Sequence, residues 1–459
     1  MWAARGAARG RAGAGAGADG REVWALARAR ALAPGAPAAA PPPLVGDRWR
    51  RPLATERSGV GGKWAAHGGG RGRAGAGAAG GRGAWARAGA EGGAGAGSAQ
   101  ESVEMRVEPG GALEGVAADL AADLPHLFDE QGIDRGMYSE NVQFEDPITR
   151  YDSLDGYLFN IQLLRRLFSP SFRLRAVHQT GAWELTTRWT MGMQFRLLPW
   201  RPPLVFTGTS VMGVDPASRK FISHVDTWDS IEDQAYLSLE GIQDLVRQLR
   251  PSLTPSLDTP EYEVLTRRRD YEVRRYADFS VAEVPVGGKP GPAAGKGFQD
   301  LAGYLFGGNE GGESMAMTTP VFSWPAGAQP GGRGVTGVGG SGGDAGGMQF
   351  VVRAEEKPLP RPGSNVRLGV EAGGFVAASR FSGAPSDAEV LAAERRLRAA
   401  LERDGLGGPN ASPGWRLARY NEPYIPGPLR RNEILVDLAA FAFPGAGAEV
   451  PPGATGPSK

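Results

Sequence analysis

The spacing of apolar residues divides the chain into helical and extended segments from about residue 113 onward. Apolar residues recur at helical spacing over residues 113–127, and LDGYLFNIQLLRRLF at 154–168 repeats the pattern behind possible caps at Asp152 and Ser153. After Pro170 the period changes to two. This alternation predicts four strands, FRLRAV, WELTTRWTM, LVFTGTSVMGV and FISHVDTWDS. Helices followed by an antiparallel meander predict an α+β domain, residues 112–245, in which a curved sheet wraps around the helices.

A second unit with a weak internal repeat follows over residues 261–443. Three prolines in RQLRPSLTPSLDTPEYEV favour a linker at 246–260 between the two units. YEVRRYADFSVAEVPV and VRLGVEAGGFVAASRFSG both have strand character, and each precedes a predicted helix. The first helix lies near GKGFQDLAGYLFG. The second begins at Ser386, whose Glu389 completes a capping box, and ends at Gly405.

Three segments have too few apolar residues to build a core. Residues 1–105 consist mainly of Ala, Gly and Arg, and the first 100 carry 14 arginines and Lys63 against five acidic residues. We interpret this segment as a disordered basic leader, typical of organelle import, with a nucleic-acid-binding arm or a misassigned start codon as alternatives. The Gly-rich insertion at 326–347 and the tail at 444–459 are also predicted to be disordered.

Composition removes several classes of site. The chain contains no cysteine, which excludes disulfides, thiolate metal sites and cysteine nucleophiles. No apolar run approaches the roughly 18 residues of a membrane span. We therefore expect a soluble protein that is at most peripherally associated with a membrane.

Three separated motifs in the second unit resemble the SOUL haem-binding family. They are YEVLTRRRDYEVRRY, MAMTTPVF at 315–322 and RYNEPYIPGPLRRNEILVDL at 419–438. The resemblance covers residues 261–443 and implies a distorted antiparallel β-barrel of two similar halves flanked by two helices. It also implies reversible binding of haem or a related tetrapyrrole, without catalysis.

A haem site needs an apolar surface for the macrocycle and cations for the propionates. The first predicted helix has an apolar face with i, i+3, i+7 spacing, although the same residues could simply pack the helix on the barrel. The candidate contacts are Phe298, Leu301, Tyr304 and Leu305 on the apolar face and Arg274, Arg275, Lys289 and Lys296 at the rim.

Axial ligation of iron has few candidates in the second unit. The four histidines of the chain all precede residue 261, which leaves Met315, Met317, Met348 and tyrosines such as Tyr304. Met315 and Met317 share a strand face and are interpreted as core, because methionine fills irregular gaps well. We therefore expect no strong axial ligand and no metal site.

The motif RRNEILVDL poses a similar choice. Arg430 and Arg431 could meet propionates, but Glu433 and Asp437 are close enough in sequence to pair with them. We prefer the structural interpretation, in which these charges form local, exposed pairs.

The first unit resembles the nuclear transport factor 2-like superfamily, in the version joined to SOUL domains in plastid proteins of plants and algae. The resemblance rests on YSENVQFEDPITRYDSLDGY and HVDTWDS. Alternation in the last predicted strand puts Ile222, His224, Asp226 and Trp228 on one face. With Glu145 or Asp146 these residues could perform acid–base chemistry. The alternative, that they are hydrogen-bonded residues at a sheet edge, is favoured because no third orienting group can be identified.

Together these features predict a non-enzymatic tetrapyrrole carrier or buffer of the chloroplast, in the stroma or peripheral on the thylakoid or plastoglobule. The first unit would serve dimerisation or partner docking, and a haem-handling enzyme such as haem oxygenase is the implied partner. No nucleic-acid partner is expected. The alternatives are a small-molecule isomerase or dehydratase in the first unit, with the SOUL domain as a sensor, and a structural protein of plastid lipid bodies or thylakoid margins.

Overall fold

The computed structural model describes residues 103–251, 254–255, 257–286, 295–328, 346–353 and 358–443. Most of the predicted leader and insertion, the whole tail and Lys289 lie outside these residues. The described residues form two sheets with helices, which confirms the predicted α+β class. No helix among them is long and apolar enough to cross a membrane.

The first sheet has seven strands in the order β1-β4-β5-β6-β7-β2-β3, with parallel pairs at β1·β4 and β2·β7 and antiparallel pairs elsewhere. Its strands are β1 (Glu104–Arg106), β2 (Tyr138–Glu145), β3 (Arg150–Tyr151), β4 (Phe168–Gly181), β5 (Glu184–Phe195), β6 (Pro203–Val214) and β7 (Phe221–Trp228). The helices of this region are α1 (Glu114–Asp123), α2 (Leu154–Leu167) and α3 (Leu239–Gln248). The four predicted strands are confirmed as β4–β7.

Helices α1 and α2 pack on the first sheet through features that the sequence predicted, the apolar residues of 113–127 and the cap at Ser153. Leu113, Leu120, Leu124 and Leu127 are buried in one core with residues of β2, β4, β6 and β7. The hydroxyl of Ser153 accepts a hydrogen bond from the N–H of Gly156 and so caps α2. These contacts hold α1 and α2 against one face of the curved sheet.

Several boundaries differ from the sequence prediction. Glu104 and Met105, assigned to the leader, pair with β4, and α3 extends to Gln248, inside the segment assigned to the linker. Ile222 was expected on the face of His224 but is 44% exposed. The pairing of β6 with β7 passes from Gly213·Ser223 to Val214·Phe221, so Ile222 is the extra residue of a bulge.

The second sheet has nine antiparallel strands in the order β13-β10-β12-β11-β15-β16-β14-β9-β8. The strands are β8 (Tyr262–Arg267), β9 (Glu272–Tyr276), β10 (Phe279–Val286), β11 (Val321–Trp324), β12 (Gly346–Val352), β13 (Arg367–Glu371), β14 (Gly374–Phe381), β15 (Arg416–Arg419) and β16 (Asn432–Leu438). The helices are α4 (Gly295–Leu305) and α5 (Asp387–Arg403). Gly346 and Gly347, assigned to the insertion, belong to β12, where Gly347 pairs with Trp324 of β11. A Cβ at Gly347 would collide with the indole of Trp324, so glycine permits this pairing.

The predicted internal repeat is visible in the pairing. Each half contains a short strand, a longer strand, a helix and two further strands, β9-β10-α4-β11-β12 and β13-β14-α5-β15-β16. The short strand of each half pairs with the long strand of the other, β9 with β14 and β13 with β10. The predicted capping box of Ser386 and Glu389 is present at the start of α5. The two halves therefore complete one sheet between them.

Both faces of this sheet are buried. Residues such as Val273, Ile434 and Val436 face α5, and alternate residues face the interior of a curled, half-barrel sheet. Arg416 of β15 and Glu371 of β13 are 2.7 Å apart although three strands separate β15 from β13 in the sheet. Such a contact requires the sheet to curl until its interior side chains meet.

The interior is organised around a buried carboxylate. Glu433 is fully buried and accepts two hydrogen bonds from the Arg274 guanidinium at 2.7 and 3.0 Å. It also accepts from Arg431 at 2.7 Å and from the Tyr420 hydroxyl at 2.8 Å. The pair of Arg431 with Glu433, predicted to be exposed, is thus buried, and Asp437 pairs with Arg416 instead.

Strand β8 also joins the second sheet to the first. The Thr266 hydroxyl donates to Asp229 at 2.7 Å, and Asp229 is in turn bound by Arg188. The Arg267 guanidinium meets the buried carboxylate of Asp244 on α3 at 2.7 and 2.9 Å. Burial alone would raise the pKa of Asp229, but Arg188 and neighbouring hydroxyls outweigh it and lower the pKa. We call this set of contacts the β8 junction.

Glu433→Gln keeps the shape of the side chain but removes the charge that two buried guanidiniums share. We expect the free energy of unfolding to fall by about 3–5 kcal/mol, the usual effect of breaking a buried ion pair. Urea denaturation followed by circular dichroism measures it. Glu310 is exposed, so Glu310→Gln should change stability by less than about 0.5 kcal/mol. Equal stability of the Glu433→Gln variant and the parent would contradict the assigned role of this carboxylate.

The Glu433 carboxylate should also make the free energy of unfolding depend on pH. Burial alone would raise the pKa of Glu433, but Arg274 and Arg431 outweigh it and hold the pKa far below its ordinary value of 4.5. The stabilisation is therefore fully present above pH 4.5 and is lost as the pH falls through the lower folded-state value. In the Glu433→Gln variant this part of the acid destabilisation should be missing.

Candidate functional site

Helix α4 lies close against strand β10. A Cβ added at Gly297 would lie 2.7 Å from a methyl carbon of Val286, so glycine permits this close approach. Leu301, Tyr304 and Leu305 are consequently buried against the outer face of the sheet. These predicted contacts form a core between helix and sheet rather than an open surface.

Tyr304 has a structural partner of its own. Its hydroxyl donates to the carbonyl of Pro358 at 2.8 Å, and burial raises the pKa of Tyr304 to about 12. The side chain thus remains a neutral phenol that ties α4 to the segment after β12.

Phe298 and Lys296 occupy the accessible start of the same helix. Phe298 is only partly buried and packs edge-on against Phe350, with ring centroids 5.3 Å apart. Lys296 is 77% exposed and pairs with Asp300 one turn along the helix at 2.8 Å. An apolar ring beside an exposed ammonium group is the combination that a flat apolar molecule with carboxylates requires.

The two predicted arginines lie elsewhere. Arg274 is on β9 and is nearly fully buried between Glu433 and Glu272, with its guanidinium over the ring of Tyr262. Arg275 is half-buried on the same strand with its guanidinium 5.5 Å from the centre of the Phe375 ring. Five strands of the sheet separate β9 from β10, against which α4 packs, so the structure does not bring these arginines to the face of α4.

The methionine pair packs as the core interpretation expects. Met315 is buried in the cluster under α4, and Met317 is partly buried against the same cluster. With no histidine or cysteine between residues 261 and 443, the described residues near α4 fit a tetrapyrrole held through its apolar face and its carboxylates.

The first sheet contains the second predicted site, on the face that carries α1 and α2. His224 Nε2 lies 2.9 Å from Oδ1 of Asp226, which also accepts a hydrogen bond from the Ser210 hydroxyl at 2.6 Å. The Ser210 oxygen accepts from the indole N–H of Trp189 at 2.8 Å. Ser210 and Trp189 therefore fix Asp226, which in turn orients the imidazole.

The two neighbouring carboxylates, Asp146 and Glu145, have different surroundings. Oδ1 of Asp146 accepts from the N–H groups of Ile148 and Thr149 and shapes the turn after β2. Burial raises the pKa of Asp146 to about 6, with a smaller contribution from Asp226. Glu145 instead faces Arg150 at 3.5 Å. Asp146, His224 and Asp226 line one cavity, so a proton donor or acceptor could act there near neutral pH.

Sequence reasoning missed four polar or aromatic residues at this site. Ser210 and Trp189 occupy neighbouring strands, and Tyr157 and Asn160 lie one turn apart on α2. The i, i+3 spacing of Tyr157 and Asn160 on the buried side of α2 was the available signal, because a buried asparagine in a helix needs a partner. Nothing in the sequence identifies Trp189 as a donor to Ser210.

Comparisons with known proteins assign the two sheets to two different families. Residues 257–437 match the family model described as SOUL heme-binding protein, and residues 114–224 match that of an uncharacterized conserved protein, DUF2358. No curated protein matches the chain.

Similar solved structures include an NTF2-like protein of unknown function from Exiguobacterium sp. 255-15. It has 13% identity and a TM-score of 0.18, and the match covers 21% of this chain and 79% of that protein. A hydrolase from Listeria innocua has 11% identity and a TM-score of 0.25, with 43% and 97% covered. These scores support no statement about activity. The family model, together with the two-fold nine-stranded sheet, identifies residues 257–437 as a SOUL heme-binding family domain.

Proposed function

We propose that the SOUL domain binds haem or a related tetrapyrrole reversibly and does no chemistry on it. The observation that carries the proposal is the family match, which runs from before β8 to Asp437 and so includes both helices and all nine strands except the last residue of β16. The absence of histidine and cysteine from residues 261–443 supports reversible binding, since iron then lacks its usual strong ligands.

The outer side of the sheet near the start of α4 is the proposed binding surface. The interior of the half-barrel is filled by ion pairs such as Arg274 with Glu433 and Arg416 with Glu371. Inserting an apolar macrocycle there would separate buried charges, which is strongly unfavourable. Phe298 and Lys296 supply an apolar edge and a cation outside.

We propose that the protein acts in plastids as a tetrapyrrole carrier or buffer. A haem-handling enzyme such as haem oxygenase would receive the tetrapyrrole. The basic, acid-poor segment 1–105 supports import. A carrier must release its cargo, and binding without a strong axial ligand suits release.

Haemin and protoporphyrin IX should bind with similar affinity if iron contributes little. We expect dissociation constants within about threefold of each other, because no His or Cys ligand distinguishes the metallated ring. Titration of the full chain, followed by the Soret band and by tryptophan quenching, measures both. Haemin binding at least about thirtyfold tighter than protoporphyrin IX, roughly 2 kcal/mol, would show that an axial ligand exists.

Phe298→Asp should weaken binding of haemin and protoporphyrin IX alike by about tenfold or more, because the macrocycle would then desolvate a carboxylate. Leu391 is the matched control, an apolar residue 41% exposed on the other helix of the domain. Leu391→Asp should leave both affinities unchanged. Circular dichroism confirms folding, and a folded Phe298→Asp variant with parental affinity would place the site elsewhere.

A fluorescent protein fused behind residues 1–100 should accumulate in plastids, and the chain without these 100 residues should remain in the cytosol. The physical reason is the net positive, acid-poor composition of the leader. Confocal microscopy with chlorophyll autofluorescence as the marker measures it. A fusion spread evenly through the cytosol would contradict plastid import.

A further inference from the structure

Helix α3 is attached to the protein through its polar side. Asp244 is fully buried and accepts hydrogen bonds from the Arg267 guanidinium and, at 3.0 Å, from the Ser230 hydroxyl. Gln248, one turn along the helix, donates to Asp244 at 3.3 Å and accepts from the N–H of Val205 at 2.8 Å. These contacts fix the rotation of α3 about its own axis, so the opposite side of the helix faces outward.

The outward side of α3 is apolar. Leu239, Ile242 and Val246 follow the i, i+3, i+7 spacing of one helix face. All three are exposed, Leu239 by 66% and Val246 by 55%, and only the flank with Leu245 and Leu249 packs on the core. A surface helix of a globular protein normally has the reverse arrangement, with its apolar face toward the core. An exposed apolar face marks a surface that contacts another molecule.

The loop 196–202, between β5 and β6, extends this apolar surface beyond the end of α3. The indole N–H of Trp200 donates to the carbonyl of Leu249 at 3.1 Å, which places the loop beside the C-terminal end of the helix. Leu197 is 68% exposed, the highest value among the large exposed apolar residues that the structure describes. Pro199 and Pro202 restrict the backbone of the loop. We use the name α3 surface for Leu197, Trp200, Leu239, Ile242 and Val246.

The loop end of the α3 surface is positively charged. The exposed arginines there are Arg196, Arg201, Arg247 and Arg250. The only acidic residue within 196–202 and 241–250 is Asp244, whose carboxylate is buried. Glu232 and Asp233 are exposed at the other end of α3, where their N–H groups donate to Glu240. The loop end of the surface therefore complements an anionic partner.

A lipid membrane fits this combination better than a protein partner. The membrane interface accepts protruding apolar side chains without a matching pocket, and it favours tryptophan and arginine at headgroup level. A protein partner would need a pocket for the protruding Leu197. A second copy of the chain, or the leader with its 14 arginines, would bring further positive charge to this end, and like charges repel.

We propose that the α3 surface binds the headgroup region of an anionic lipid membrane, with Leu197, Ile242 and Val246 at the boundary of the acyl chains and the four arginines against lipid phosphates. The proposal does not rest on tetrapyrrole binding, because the α3 surface shares no residue with α4. Since Arg267 of β8 holds Asp244 of α3, the same contact keeps the SOUL domain beside the membrane.

A single introduced cysteine tests the proposal on the full chain, because the chain contains no other cysteine. Leu197→Cys carries a nitrobenzoxadiazole label on the α3 surface. Leu359→Cys is the matched control, at a residue 62% exposed between β12 and β13. Vesicles of phosphatidylcholine with about 30 mol% phosphatidylglycerol should brighten the emission of the label at 197 and shift it to shorter wavelength, and should leave the label at 359 unchanged. The basic leader also attracts such vesicles, so a local label is required. No response at 197 would overturn the proposal.

Two pairs of charge reversals in the labelled Leu197→Cys chain test the arginines. Arg201→Glu with Arg250→Glu should raise the lipid concentration at half-maximal response at least about tenfold, because two phosphate contacts become repulsive. Arg395→Glu with Arg396→Glu makes the same change of net charge on exposed residues of α5 and should raise it less than about twofold. Pure phosphatidylcholine vesicles should respond at least about tenfold more weakly. Equal effects of the two pairs, or equal responses to both lipids, would overturn the anionic assignment.

Val246→Asp in the same labelled chain tests the apolar face of α3. It should weaken the vesicle response at least about tenfold, because a carboxylate must then be desolvated at the membrane, and Leu391→Asp should leave the response unchanged. Circular dichroism confirms folding, and unchanged haemin affinity of Val246→Asp separates this proposal from tetrapyrrole binding. A parental dimer that Val246→Asp converts to a monomer in sedimentation velocity, without any vesicle response, would identify a contact between two copies and overturn the proposal.

Discussion

The carboxylate of Glu433 accepts hydrogen bonds from Arg274, Arg431 and Tyr420 inside the curled sheet. A buried charge tolerates only small displacements of its partners, because the desolvation penalty must be offset by close contacts. Strands β9 and β16, which are not neighbours in the sheet, are therefore held in fixed positions on either side of β14. This requirement constrains how β9, β14 and β16 pack together in the curled sheet.

The two faces of that sheet differ in composition. The inner face is occupied by paired charges and aromatic rings, and the outer face packs on α4 and α5 through aliphatic residues. The inner face is therefore unfavourable for a large apolar molecule, which would separate these buried ion pairs. In the first sheet the covered face instead contains a mainly apolar cavity, whose lining includes His224 and Asp226.

Elements governed by local patterns could be predicted from the sequence. The strands β4–β7, the cap at Ser153 and the box at Ser386 follow from alternation and from side-chain oxygens placed before apolar stripes. The internal repeat was also readable, since each half repeats the same order of strand and helix.

Features that depend on distant partners could not be predicted. Arg274 looked like a free cation, but its partner Glu433 lies 159 residues away, and no local rule connects them. The bulge at Ile222 depends on the register of β6, which alternation alone does not fix. Of the candidate site, the residues of α4 and the pair of His224 with Asp226 were identified. Their burial, and the place of Tyr157 and Asn160 in the wall of the cavity, emerged only from packing.

The β8 junction links the stability of the two sheets. Thr266 and Arg267 belong to the second sheet, yet their hydroxyl and guanidinium are bound by Asp229 and Asp244 of the first region. Unfolding either sheet would leave these buried polar groups without partners, so the β8 junction couples the stability of the two sheets. By mass action, a ligand that binds only the folded form of one sheet then also suppresses local opening of the other.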